Sequence, residues 1–102
     1  ESLMKIGKPL PEFCKLVEMN EEILKMATVA FFKRNPELAD EVIEKVKELY
    51  EVEKEYYKLI FNQDVERAVY IKAILDSLSR IAGYCSDIAE VVINMCVLNS
   101  FK

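Results

Sequence analysis

The chain has 102 residues, 52% apolar and 31% charged, with two glycines and three prolines. That is too apolar for disorder and too short for two cores. A net charge of −4 provides no basic stripe to neutralise phosphates, which argues against nucleic acid as a direct partner, and the lack of histidine removes Ser-His and Cys-His nucleophile pairs and imidazole metal ligands.

Taken in chain order, Pro9 and Pro11 close a short irregular lead. Phe13, Leu16, Val17, Ile23, Leu24, Ala27, Ala30 and Phe31 then recur mostly at three and four, which predicts a first helix over about 12–34. In Asn35-Pro36-Glu37, Asn35 is suited to cap a second helix and Pro36 to occupy its first position, where a missing N–H costs nothing. The apolar stripe of that helix is Ala39, Val42, Ile43, Val46, Leu49, Tyr50, Tyr56, Tyr57 and Ile60. Glu44, Lys47, Glu48, Glu51, Lys54, Glu55 and Lys58 fall on its other faces as a solvated, salt-bridged surface.

Residues 61–64 form the second turn, with Asp64 the N-cap of a third helix reaching nearly to Asn99, on the order of 50 Å long. Short connections force antiparallel neighbours, so the expected fold is all-α: one domain over 1–102, an up-down-up antiparallel three-helix bundle with a long third helix. The chain begins with Glu1 rather than methionine, which leaves open that it is a segment of a longer protein.

The third helix is the most informative element. Ile71, Leu75, Leu78, Ala82, Cys85, Ala89, Val92 and Cys96 form one packing seam, and Tyr84, Ile88, Val91, Met95 and Leu98 form a second about 120° away. Two seams make an arc wider than a surface helix needs, and the far end is expected to overhang its intramolecular partners. Either the first helix and the N-terminal lead cover that end, or another copy or another domain of a parent chain does. Tyr84, Ile88, Val91, Met95 and Leu98 are therefore the candidate interaction surface. Gly83 inside the helix is expected to mark the close approach of another backbone. Three cysteines without CxxC spacing suggest reduced thiols and a cytoplasmic location. No uncharged run of roughly 18 residues is present, so membrane insertion is not expected.

Arg80-Ile81-Ala82, followed by Asp87-Ile88-Ala89-Glu90, resembles the pattern of PhoU-type phosphate-uptake regulators, in which Glu-Arg-Ile-Gly-Asp precedes a spacer and Ile-Ala-Glu. Asn35-Pro36-Glu37-Leu38-Ala39 with Val42-Ile43-Glu44 is similar to the family's first turn and the start of its second helix. The resemblance implies one three-helix repeat with a regulatory role. Such a module is no enzyme and works through protein contacts, with a phosphate transporter component or a signalling kinase among the implied partners. Acidic pairs that hold metal ions in some members fall here on Ser79 and Gly83 and, if a hairpin turning near residue 63 sets the register, on Val46 and Tyr50. No metal or other cofactor is therefore expected. Glu51 with Glu55, or Asp87 with Glu90, are the remaining spaced carboxylates, a pattern that most charged helices carry. The rival reading is a structural or dimerisation bundle of a larger protein with no phosphate role.

Overall fold

The computed structural model describes residues 11–100, with side chains over 13–99; the irregular lead expected through Pro9 lies outside them. They form three helices: α1 (Pro11–Lys33), α2 (Pro36–Lys58) and α3 (Val65–Ser100), with one 3-10 turn (Leu59–Asn62) between α2 and α3. No strand occurs among the described residues, and the all-α bundle with a long third helix is the observed architecture.

Local chemistry sets the boundaries. At the end of α1, Arg34 adopts a left-handed φ of 50°. Its N–H donates to the Phe31 carbonyl at 3.4 Å and the Asn35 N–H to the Ala30 carbonyl at 3.0 Å, the paired bonds that close a helix C-terminus. Asn35 Oδ1 then accepts from the Leu38 N–H at 3.1 Å and starts α2, with Pro36 at its first position. Asp64 Oδ1 accepts from the Arg67 N–H at 2.9 Å and starts α3 in the same way.

The helices run alternately. The Phe13 ring lies 5.7 Å from that of Tyr56 and Lys45 Nζ lies 3.8 Å from Glu22, so α1 and α2 are antiparallel. Cys96 Sγ donates to the Arg34 carbonyl at 3.4 Å, so α1 and α3 end together and run parallel. The result is a rod of 58 × 20 × 16 Å around one apolar core, to which α1 contributes Phe13, Leu16, Ile23, Ala27 and Ala30, α2 contributes Ala39, Val42, Val46, Leu49 and Tyr56, and α3 contributes Ile71, Leu75, Ala82, Cys85, Ala89 and Val92. Around the outside of α2, Glu44–Lys47, Glu51–Lys54 and Glu55–Lys58 pair at 3.3, 3.0 and 3.2 Å. Exposed pairs of this kind contribute about 0.2–0.5 kcal/mol each.

Two expectations change. Among the described residues the larger overhang of α3 is at its start: α1 reaches Cys96, whereas Val65, Val69 and Phe61 are exposed, Phe61 by 87%. The reason is that α1 and α3 are parallel, so the C-terminal ends of both meet. The hairpin register also differs, since Ser79 meets Glu53 and Asp76 meets Tyr57, and Val46 is not level with residue 80. The 3-10 turn, rising about 2.0 Å per residue against 1.5 Å in an α-helix, adds about 2 Å to the α2 side of the hairpin and accounts for roughly one residue of this shift. Separately, α3 is long and apolar enough to cross a membrane by length and composition alone, with at most two charged residues in the qualifying window. Requiring an entirely uncharged run overlooked it. Within the bundle, 22% of that window is buried, so much of its apolar character faces outward.

Candidate interaction face

The apolar residues of α1 divide into two rows that look like one stripe in the sequence. Phe13, Leu16, Ile23, Ala27 and Ala30 point inward, whereas Val17, Leu24 and Phe31, spaced by sevens, are exposed. The same division occurs on α3. Ile71, Leu75, Ala82, Cys85, Ala89 and Val92 are buried, while Tyr84, Val91 and Leu98, again spaced by sevens, are 60%, 48% and 64% exposed. Ile88 and Met95 are half-buried between the rows. A spacing of seven returns to almost the same side of a helix, so each set is a row along the rod.

The two outer rows lie on one face because α1 and α3 are parallel neighbours. Ile88 and Phe31 line a common apolar depression of about 220 Å³ with Thr28 and Phe32. The Thr28 hydroxyl donates to the Leu24 carbonyl at 2.8 Å, so its polar group is satisfied within its own helix. The face thus carries Val17, Leu24 and Phe31 from α1, beside Tyr84, Ile88, Val91, Met95 and Leu98 from α3. The α1 half was not identified from the sequence as a surface, although the spacing of Val17, Leu24 and Phe31 was legible there.

The opposite side of α3 is chemically different. Glu53 is 2% exposed on α2, and Ser79 Oγ donates to its Oε1 at 2.6 Å, while its Oε2 has no partner. Burial, with a smaller addition from Asp76, pushes the Glu53 carboxyl above its ordinary range, and the Ser79 hydrogen bond partly offsets this. Next along the seam, Tyr57 Oη donates to Asp76 Oδ1 at 2.6 Å and Lys72 Nζ to Asp76 Oδ2 at 2.7 Å. Those two hydrogen bonds, Lys72 first, hold the Asp76 carboxyl below its ordinary range. Tyr50 Oη reaches the Ser79 carbonyl at 3.5 Å. It is also the nearest atom to a Cβ built on Gly83, at 3.5 Å, so Gly83 faces a tyrosine hydroxyl and not another backbone.

The residues weighed as metal ligands therefore separate. Tyr50, Ser79 and Gly83 come together, Val46 is buried in the core, and the carboxylate level with Ser79 is Glu53, which the hairpin register assumed from the sequence did not reach. The signal that could have found it is a lone glutamate at 53 among the inward positions Val46, Leu49 and Tyr56. Glu51 and Glu55 are engaged by Lys54 and Lys58 on the outer surface, and Asp87 and Glu90 are exposed. No group of three or more metal-ligating side chains occurs among the described residues. Cys85 is buried, which pushes its thiol above the ordinary range; Cys14 is exposed and Cys96 half-buried, and all three thiols are free.

The family model described as PhoU domain matches residues 13–92. No curated protein and no solved structure matches the chain.

Proposed function

Because this chain belongs to the PhoU domain family, we propose that it is a cytoplasmic regulatory module that couples phosphate transport to signalling by docking other proteins on its α1–α3 face. The family is regulatory and non-catalytic, tied to phosphate physiology and acting through protein–protein contacts. The observation that supports the docking face is the paired outer rows, Val17, Leu24 and Phe31 with Tyr84, Val91 and Leu98. Apolar side chains arranged in a row on a small domain gain free energy when covered, at about 25 cal/mol for each Å² removed from water. A phosphate transporter component or a signalling kinase is the partner this role requires.

The test is made in the organism that produces the protein. Deletion of the chain is expected to alter phosphate uptake or its response to external phosphate, and Tyr84→Glu with Val91→Glu is expected to reproduce that loss while the protein stays folded. Unchanged uptake and response in the deletion strain would remove the phosphate role and leave a purely structural bundle.

A further inference from the structure

Two polar side chains are drawn into the core, one on α1 and one on α2. Among the described residues Asn20 is 4% exposed and Glu53 2%, and no other charged or amide side chain is buried as deeply. Asn20 occupies the inner row of α1 between Leu16 and Ile23, and its Nδ2 donates to the Leu16 carbonyl at 3.5 Å. That leaves Asn20 Oδ1 and Glu53 Oε2, both acceptors, buried without a donor, a costly arrangement in an apolar core. Phe13 against Tyr56 and Glu22 against Lys45 set the levels of α1 and α2, and they put Asn20 a little over one turn from Glu53 along the rod. Side chains lean towards the N-terminus of their own helix. Because α1 and α2 are antiparallel, Asn20 and Glu53 lean towards one another and close that gap.

From this convergence we infer that Glu53 is held as a carboxylic acid whose O–H, on Oε2, donates to Asn20 Oδ1, and that this acid, with Ser79, links all three helices through the core. The donors and acceptors balance only in this form. A protonated Glu53 has one O–H to give and one oxygen to receive; Asn20 takes the first, and Ser79 Oγ supplies the second at 2.6 Å. An ionised Glu53 sets two acceptors face to face. The surroundings favour the neutral form: burial is the main influence, the charge of Asp76 on α3 adds to it, and the Ser79 hydrogen bond opposes it. Asp76 is itself engaged by Lys72 and Tyr57, and Tyr50 is turned to the Ser79 carbonyl. From α1, Phe13, Leu16 and Asn20 are the buried residues at this level, and no ion pair reaches Glu53 among the described residues. Since α1 carries Val17, Leu24 and Phe31, the link fixes that half of the exposed face to the α2–α3 hairpin, and it weakens as pH rises. It rests on the interior geometry, not on the docking or phosphate readings.

Thermal unfolding of the full 102-residue chain at pH 4, below the ordinary glutamate value of 4.5, tests it with Asn20→Leu, Glu53→Leu and the double variant. Each single change is expected to lower the midpoint by about 4 °C or more, since it leaves the other side chain without its partner. The double change is expected to cost no more than the larger single loss. Losses that add would overturn the link. Glu53→Gln carries an N–H donor at every pH, so in that background the cost of Asn20→Leu is expected to be the same at pH 4 and pH 8, and this holds as a test even where a leucine at 53 prevents folding. No cost of Asn20→Leu in the Glu53→Gln background would also overturn the link. The Glu53 carboxyl carbon, followed by 13C NMR in the wild type, identifies the donor and is expected to be protonated at pH 4. An ionised resonance there, or coupling to Asn20 that persists where the group is ionised, would mean that Asn20 turns its amide N–H to a carboxylate, and would overturn the acid as donor.

Discussion

The two sides of α3 reverse the usual distribution of polarity. Towards α2 a carboxylate, a serine hydroxyl and a tyrosine hydroxyl are drawn into the bundle, and towards the open side of α1 aliphatic and aromatic groups are left in water. A buried polar group is tolerated when its hydrogen bonds are made, and an exposed apolar row when something else covers it. The first side is thus completed inside the chain, except for one oxygen of Glu53, and the second is left open among the described residues. Stability and association are expected to depend on different sides of the same helix.

Substitutions can break or sharpen that contrast. The largest effect is expected at Leu75, which is fully buried one turn from Ser79: Leu75→Ala should cost about 2–5 kcal/mol in chemical denaturation. Val91→Ala, measured where the chain is monomeric, should cost less than about 1 kcal/mol. Equal costs would mean that the outer row is core, and the contrast would fail.

Ser79→Ala comes next, at about 1–3 kcal/mol, because it leaves Oε1 of a buried Glu53 without a partner. A change near zero would show that water already satisfies the carboxylate. The pH dependence sharpens the same point. Burial raises Glu53 above its ordinary value of 4.5, so the folded chain holds this proton more tightly than the unfolded chain. Its contribution to stability is complete below 4.5 and is lost as pH rises through the folded-state value. Asp76, lowered from 3.8 mainly by Lys72, acts in the opposite sense. Its contribution is present above 3.8 and is lost as pH falls through the lowered value, so the two windows do not overlap. The thermal midpoint is expected to rise as pH is lowered from neutral towards 4.5, and Glu53→Gln to remove that rise. A midpoint that falls over this range in the wild type, or an unchanged slope in Glu53→Gln, would show that Glu53 does not govern it.

The smallest effect is expected at Gly83. A Cβ there would meet Tyr50 Oη at 3.5 Å, an ordinary contact, so Gly83→Ala should raise stability by about 0.5–1 kcal/mol through helix propensity alone. A loss instead would mean that the α2–α3 seam is tighter at Tyr50 than this distance implies.

Much of the bundle could be read directly from the chain. Asn35-Pro36 and Asp64 mark their own helix starts because a cap is a contact over three residues, and the buried seam from Ile71 to Val92 shows as periodicity because each helix carries its own inner row. The resemblance in Arg80-Ile81-Ala82 and Asp87-Ile88-Ala89-Glu90 was legible for the same reason: it lies along one helix. Tertiary structure decided the rest. Whether Val17, Leu24 and Phe31 are core or surface depends on which side of α1 the other helices occupy, and their apolar character is the same in either case. The pairing of Glu53 with Ser79 depends on the path of the whole connection between α2 and α3, since a hairpin register shifts with every ångström added at its apex and no local pattern records that sum. The alignment of the outer rows of α1 and α3 on one face exists only because α1 and α3 end together at Arg34 and Cys96, a contact between residues 62 positions apart that periodicity within a helix cannot specify.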